Sequence, residues 1–235
     1  VSFNYTDEYE WIEEMEVYFD DAFDPVLTQG DQHFDRMLYF VHTEDGCWLY
    51  LEGTSDDDYS VLNIFDLDSN GAEYDCSIDI TGSVRYIDSD YDDDSRYYRY
   101  ILEPITDPGC FYMSEILQAV GTVFAERGYE VGQNGVPEPI GDVFYLVNDR
   151  TFTLQQDITF DTVDYDGEVT GSIDLKAGDE LQLLRLDGES YCDFYVGNGV
   201  IARGYSKVDW GNGYPTINGI SVMELFDPEE VVFAD

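Results

Sequence analysis

The chain has 235 residues, and its 52 acidic residues against 10 basic ones give a formal net charge of -42. Such a surface repels phosphate backbones and anionic lipid headgroups, which bind through clustered lysine and arginine, so nucleic acid and acidic membranes are excluded as partners. Hydrophobic residues still make up 43% and aromatic residues 16% of the chain, so its acidity does not indicate disorder.

The charge by itself keeps a protein dispersed in water, and it also permits metal cations, basic peptides and neutral glycans as ligands. No window of about 18 apolar residues is present, which predicts that no helix spans a membrane. No secretory signal is visible, and the start at Val1 indicates a mature chain trimmed of its leader, with at most a lost lipid anchor. An extracellular or cell-surface bacterial protein fits this composition best.

The N-terminal segment, residues 7–24, contains nine acidic residues and no basic one. Apolar side chains recur in it every four positions: Trp11, Met15, Phe19 and Phe23. This spacing predicts a short amphipathic helix that ends before Pro25. A strand over residues 15–19 is the alternative, because Met15, Val17 and Phe19 also alternate.

Two hairpins follow this segment. Apolar runs over residues 37–41 and 47–51 flank the turn Glu44-Asp45-Gly46, and runs over 61–67 and 72–80 flank Asn70-Gly71. Residues 84–87 and 97–102 are read as strands around a solvated, aspartate-rich loop.

Residues 114–131 fit either a helix capped by Ser114 or a strand, and we predict a strand over 120–131 because Gly121 and Gly128 weaken a helix. Two prolines in residues 133–139 then mark a domain boundary. Short apolar runs separated by glycine turns predict a small barrel or sandwich after it, at residues 143–147, 151–160, 168–173, 180–186, 191–196 and 200–204.

Residues 173–184, Ile-Asp-Leu-Lys-Ala-Gly-Asp-Glu-Leu-Gln-Leu-Leu, resemble the diverging-turn segment of SH3-like barrels. The resemblance implies that Asp187-Gly188 is the next hairpin turn, with Tyr191 and Tyr195 on the following strand. No Pro-x-x-Tyr motif follows, so the binding of proline-rich peptides is not implied. The predicted fold is therefore mostly β, with an antiparallel domain and short helix over residues 1–138 and a small SH3-like barrel over 139–235.

The whole chain is similar to the mature part of acidic, tyrosine-rich secreted lipoproteins of gut Firmicutes. Three segments carry this resemblance: residues 47–53, 59–66 and 216–219. It implies a location at the cell surface, and it implies no activity and no functional residue.

The clearest candidate for metal binding is the second hairpin, which opens with Asp66-x-Asp68-x-Asn70-Gly71, as calcium loops do. Position twelve is Ser77 in place of the usual glutamate, so a calcium hand is not expected. A two-residue turn at Asn70-Gly71 would set Asp68 opposite Glu73 and Asp66 opposite Asp75, with all four carboxylates on one face. This face is either simply solvated or a Ca²⁺ site; no other cofactor is expected.

Three other groupings are weaker candidates for chemistry. Aspartates at 88, 90 and 92–94 form an oxygen-rich loop that is expected to be solvated. His42 and Cys47 are expected to be diagonal neighbours on one strand face, roughly 7–8 Å apart, without a third group to orient them. A carboxylate pair for hydrolysis is a further alternative, although no pair stands out among so many acids.

The four cysteines contain no C-x-x-C pair, which excludes common zinc and thioredoxin patterns. Isolated buried thiols are expected, with one disulfide within residues 47–110 as the alternative.

Five aromatic residues lie in a glycine- and asparagine-rich segment near the C-terminus: Tyr191, Tyr195, Tyr205, Trp210 and Tyr214. This composition is typical of adaptable binding surfaces for protein or sugar rings, although the same rings could instead fill the barrel core. The sequence therefore favours a non-catalytic surface module that binds a macromolecule or glycan. A calcium-stabilised adhesion protein and a carboxylate hydrolase are the alternatives.

Overall fold

A computed structural model of the chain describes residues 2–5, 12–17, 27–30, 38–54, 60–68, 71–79, 105, 107–208 and 213–233. These residues form antiparallel β-sheets with one short helix, which confirms the mostly β fold class. The chain divides into two compact units, one made of Val1–Met113 and Gly128–Ile140 and the other of Ser114–Arg127 and Gly141–Asp235. The boundary predicted from the sequence lay between residues 138 and 139.

The first unit begins with a three-stranded sheet in the order β1 (Ser2–Tyr5), β2 (Ile12–Val17) and β3 (Leu27–Gly30). The prediction of a helix over residues 7–24 is therefore wrong for the part that the structure describes, since residues 12–17 form a strand. Glu13 and Glu16 would be like-charged neighbours three residues apart on a helix, whereas the strand pairs its backbone with β1 and β3.

A second sheet in this unit is a four-stranded meander of β4 (Leu38–His42), β5 (Cys47–Thr54), β6 (Ser60–Asp68) and β7 (Gly71–Asp79). Both predicted hairpins are confirmed, but their registers differ from the predicted ones. His42 pairs with Cys47 around a four-residue loop, and Asp68 pairs with Gly71. The predicted aspartate-rich loop around residues 88–95, with its flanking strands, lies outside the described residues.

The core of the first unit is built around Trp48 and Tyr50, which are buried with aromatic and aliphatic side chains of neighbouring strands. The Tyr50 hydroxyl donates a hydrogen bond to the backbone carbonyl of Gly135. Gly135 has a φ of 80°, and a Cβ there would overlap the Trp48 indole, so this position requires glycine. The turn over residues 132–135, which the Gly135 amide closes with a 2.8 Å bond to the Gly132 carbonyl, thus lies over a buried aromatic core.

Strands β8 (Phe111–Gln118), β9 (Thr122–Val131) and β10 (Pro137–Pro139) lie around the boundary in the sequence. The strand predicted over residues 120–131 is confirmed, and residues 111–118 are strand as well, so the helix that Ser114 could have capped does not form. β10 pairs with the last residues of β9 in the first unit, Tyr129 to Val131. Within the second unit, Ala125 and Glu126 of β9 pair with the following strand.

The second unit continues with eight further strands and a helix: β11 (Phe144–Thr153), β12 (Ile158–Val163), β13 (Val169–Leu175), β14 (Glu180–Leu186), β15 (Tyr191–Tyr195), β16 (Ile201–Lys207), β17 (Thr216–Ile217), β18 (Ile220–Ser221) and α1 (Val222–Leu225). Hydrogen-bonded neighbours run in the order β9-β11-β14-β15-β16-β12-β13, and β17 and β18 extend from β16. The turn at Asp187-Gly188 joins β14 to β15, as predicted. Among the described pairings none joins β13 to β9, and the SH3-like closure is not confirmed.

Four phenylalanines form the centre of the second core. Phe160 and Phe194 have ring centroids 5.8 Å apart, Phe194 and Phe226 are also 5.8 Å apart, and Phe226 lies 5.1 Å from Phe152. Gly204 lies in the strand beside this cluster, where a Cβ would come within 2.5 Å of Ile217 and 3.2 Å of the Phe160 ring. The backbone of β16 therefore approaches the core as closely as glycine alone allows.

The only helix among the described residues, α1, has four residues, and no described helix is long and apolar enough to cross a bilayer.

Candidate binding surface

Strand alternation divides β15 between a core and a second face of the sheet. Cys192 and Phe194 are buried in the core, so Tyr191, Asp193 and Tyr195 lie on the opposite face. On β16, the partners of these three residues are Tyr205, Arg203 and Ile201 respectively. The face away from the phenylalanine core is therefore both aromatic and charged.

Charged residues of opposite sign alternate across this face. Arg185 of β14 pairs with Asp193 of β15, Asp193 pairs with Arg203 of β16, and Arg203 pairs with Asp161 of β12. A β-bulge at Leu184 lets Arg185 occupy this row, because the extra residue shifts the alternation after Leu183. Cross-strand neighbours on one face interact directly, so the row forms one connected polar network.

Asp193 is the centre of the network, and its side chain is fully buried. Its Oδ1 accepts a hydrogen bond from Arg203 Nε at 2.6 Å, and its Oδ2 accepts bonds from Arg203 Nη2 and Arg185 Nε, both at 2.8 Å. The hydrogen bonds to Asp193 raise the pKa of Arg203 above its ordinary value. For Arg185, burial lowers the pKa, but hydrogen bonds to Asp193 and Tyr145 outweigh it and the net direction is upward.

The same two arginines hold the turn between β12 and β13 against the sheet. Arg185 donates to the carbonyl of Tyr165 at 2.7 Å and to that of Asp164 at 3.2 Å, and Arg203 donates to the carbonyl of Gly167 at 3.0 Å. Gly167 has a φ of 86°, a backbone conformation that favours glycine. The network therefore fixes a loop whose tip carries the side chain of Tyr165.

Four tyrosines of this face have exposed side chains, and we call them the tyrosine face. They are Tyr145, 50% exposed, Tyr165, 80% exposed, Tyr195, 36% exposed, and Tyr205, 48% exposed. Tyr145 belongs to the face because it pairs with Arg185, and Tyr165 is included because it lies on the adjoining turn, which Arg185 binds through the Tyr165 backbone carbonyl.

Hydrogen bonds and packing orient several of these rings. The Tyr205 hydroxyl donates to Asp161 Oδ2 at 2.8 Å, and this bond is the main reason why the pKa of Tyr205 is raised. The Tyr195 hydroxyl accepts a bond from the Gly199 amide at 3.4 Å. Tyr191 is half-buried, and its ring lies 3.8 Å from the Arg203 guanidinium carbon, in a cation–π contact. Tyr195 and Tyr205 of the tyrosine face are thus oriented by contacts within the protein, as is the neighbouring Tyr191.

Of the five aromatic residues predicted to bind a ligand, the structure brings Tyr191, Tyr195 and Tyr205 together on this face. Tyr214 instead stacks on Phe233, with ring centroids 5.4 Å apart. Trp210 lies outside the described residues. Tyr145 and Tyr165 were not predicted from the sequence, because their positions depend on strand order and on the turn that the arginines bind.

The predicted calcium residues lie in a different register from the expected one. Asp66 pairs with Glu73, whereas Asp68 pairs with Gly71, and Asp75 falls at a β-bulge between Tyr74 and Cys76. The four-carboxylate arrangement derived from a turn at Asn70-Gly71 is therefore corrected to one directly opposed, exposed pair, Asp66 and Glu73. Within the described ranges, no three His, Cys, Asp or Glu side chains are grouped in a way that could hold a metal ion.

His42 and Cys47 are direct cross-strand partners and not the diagonal neighbours that a two-residue turn would give. The reason is the loop over residues 43–46, which the Thr43 amide closes with a 2.9 Å bond to the Gly46 carbonyl.

Cys47 and Cys110 are free thiols, and Cys110 is exposed, contrary to the expected burial. Cys192 is a free and buried thiol, and burial raises its pKa far above the ordinary value.

Comparison with protein-family models, curated proteins and solved structures finds no match for this chain.

Proposed function

We propose that this protein is a non-catalytic binding module, outside the cell or on its surface, that recognises a macromolecule or a glycan through the tyrosine face of the second unit. One observation carries the proposal: three exposed tyrosines, at positions 145, 195 and 205, lie on strands of one hydrogen-bonded sheet, and a fourth, Tyr165, lies on the turn that Arg185 and Arg203 bind to that sheet. Tyrosine combines a large apolar ring with a polar tip, and it is enriched at the contact surfaces of proteins.

The rigidity of this face supports the same function. Ligand binding loses free energy when side chains and loops must become ordered. Here the turn that carries Tyr165 is already fixed by Arg185 and Arg203, and the ring of Tyr205 is tethered to Asp161. A preorganised aromatic surface therefore binds with a smaller entropic cost than a mobile loop does.

The proposed location outside the cell rests on composition and resemblance. The net charge of -42 keeps an exposed protein soluble, and the segments that are similar to secreted lipoproteins agree with it.

The test is a binding screen read by NMR on isotope-labelled protein. Probes are neutral oligosaccharides and short peptides of differing charge, and a ligand of the tyrosine face should shift the signals of residues 145, 165, 195 and 205. A triple variant, Tyr145→Ser, Tyr165→Ser and Tyr195→Ser, should lose the binding. Tyr112→Ser serves as the matched control, since Tyr112 is an exposed tyrosine of the first unit. Binding that the triple variant retains in full would contradict the proposal.

A further inference from the structure

Carboxylates lie beside two residues of the tyrosine face, Tyr165 and Tyr205, and the two arginines of the network do not balance their charge. Both guanidinium groups bind Asp193 and the carbonyls of the adjoining turn, with only about a tenth of each side chain exposed. The carboxylate of Asp161 lies at the tip of Tyr205, and Asp166 and Glu168 are exposed on the turn that carries Tyr165. A ligand that reaches Tyr165 or Tyr205 therefore meets three carboxylates against one exposed cation on this face of β16, Lys207.

Resting on the proposed function, we infer that the natural ligand of the tyrosine face is an arginine- or lysine-rich segment of another polypeptide. Cations bind over the faces of aromatic rings, and guanidinium groups pair bidentately with carboxylates. The protein already contains this chemistry, because the Arg203 guanidinium carbon lies 3.8 Å from the Tyr191 ring. The exposed tyrosines offer the same ring to a cation from outside.

The negative charge of the protein favours a basic polypeptide over glycans and nucleic acid as the ligand. A neutral glycan would stack on the rings and donate hydroxyl hydrogen bonds to the carboxylates, but it carries no positive charge for them to attract. An anionic glycan or nucleic acid would be repelled by a chain with 52 acidic and 10 basic residues. A basic polypeptide uses both features, and long-range attraction speeds its association.

Sheet geometry also gives the length of the segment. Tyr145 lies on β11 and Tyr205 on β16, and β14 and β15 lie between these strands. Three strand spacings amount to about 14 Å, which an extended peptide covers with roughly four to five residues. A segment with two or three basic side chains therefore reaches across the tyrosine face.

The probe is a fluorescent peptide of alternating glycine and arginine, twelve residues long, compared with the same peptide containing citrulline in place of arginine. We expect the arginine peptide to bind the wild-type protein, and raised salt to weaken it. We expect the triple variant at Tyr145, Tyr165 and Tyr195 to bind it at least about tenfold more weakly, because three cation–π contacts are lost at unchanged net charge. Tyr112→Ser should bind as the wild type does.

The outcomes separate this inference from the proposed function. Equal binding of the arginine and citrulline peptides, or equal binding of the arginine peptide by wild type and triple variant, overturns the basic segment as the ligand. If neutral oligosaccharides then still shift the tyrosine face, the binding module stands with a glycan as its ligand. If no probe depends on the tyrosines, both proposals fail. Thermal melts of all variants establish that each one is folded.

Discussion

Asp193 lies directly opposite Arg203 in the β15–β16 pair, and both of its carboxylate oxygens accept hydrogen bonds from that one guanidinium group. Arg185 adds a third bond from the other side. Two cations thus share one buried anion, and the backbone carbonyls of the adjoining turn accept further bonds from both of them. Loss of the anion would leave two desolvated guanidinium groups side by side.

We expect Asp193→Ala to destabilise the second unit by roughly 3–5 kcal/mol, the usual effect of removing one partner from a buried ion pair. Urea unfolding followed by circular dichroism measures this change. Asp157→Asn is the control, because it breaks the 2.8 Å ion pair between Lys176 and Asp157, whose side chains are both well exposed. Its effect should be far smaller, since water screens exposed pairs. Equal losses in the two variants would show that the Asp193 network is not structurally important.

Substitution of Gly204 tests how closely β16 packs against the core. Gly204→Ala places a methyl group 2.5 Å from Ile217 and 3.2 Å from Phe160, and overpacking of this kind typically costs about 1–3 kcal/mol. Ile217→Ala removes the atom that the new methyl group meets. In a double-mutant cycle by urea unfolding we therefore expect the combined loss to be smaller than the sum of the single losses. Strict additivity would contradict this packing.

The position of Arg185 shows where prediction from the sequence stops. Simple alternation along β14 puts Leu181, Leu183 and Arg185 on one face, which would bury the arginine among phenylalanines. The bulge at Leu184 reverses the alternation, so that Leu183 and Leu186 both enter the core and Arg185 faces Asp193. Nothing in the order of the residues marks this bulge, because it depends on pairing with β15.

The two hairpins likewise show that sequence patterns locate strands but do not determine which residues pair across them. Alternation and the pairs Asp45-Gly46 and Asn70-Gly71 identified both hairpins, and the mostly β class followed from such patterns. The length and the position of the loop, however, set the register, and a change in either alters every cross-strand partner. The predicted pair of His42 was wrong because its loop has four residues instead of two, and that of Asp68 because Asp68 pairs with Gly71, so that Gly71 belongs to the strand and not to the turn. Contacts such as Arg203 with the Gly167 carbonyl join distant parts of the chain, and local patterns carry no information on them.

Asp187 gives the turn between β14 and β15 a dependence on pH. Burial raises the pKa of its carboxyl, but hydrogen bonds from the Ser190 hydroxyl and from the amides of Tyr191, Ser190 and Glu189 outweigh it and lower the pKa below the ordinary 3.8. A lowered folded pKa means that the stabilisation is present above about 3.8 and is lost as the pH falls through the lower folded value.

We therefore expect wild type to be more stable than Asp187→Asn at pH 6, and this difference to shrink as the pH falls below 3.8. The midpoints of urea unfolding for the two proteins measure it. A carboxyl NMR titration gives a second readout, in which Ser190→Ala should raise the pKa of Asp187. A stability difference that is the same at pH 6 and pH 3 would show that the carboxylate charge has no part in the turn.

Substitution of the opposed carboxylates Asp66 and Glu73 distinguishes electrostatic repulsion at this hairpin from calcium binding. Like charges directly opposite each other on paired strands are unfavourable by a few tenths to about 1 kcal/mol, so Glu73→Gln should raise the melting midpoint at low salt. Added NaCl should remove most of this gain, because salt screens exposed charges.

If this hairpin is a calcium site, CaCl₂ should stabilise the protein by more than the screening of charges by salt explains. CaCl₂ at matched ionic strength should raise the wild-type midpoint saturably above its value in EDTA, since a ligand that binds only the folded state stabilises it by mass action. Asp66→Asn and Glu73→Gln should abolish the rise. Equal midpoints in CaCl₂ and in matched NaCl would instead assign these carboxylates to a solvated surface, where their repulsion is relieved by water and by the ionic atmosphere alone.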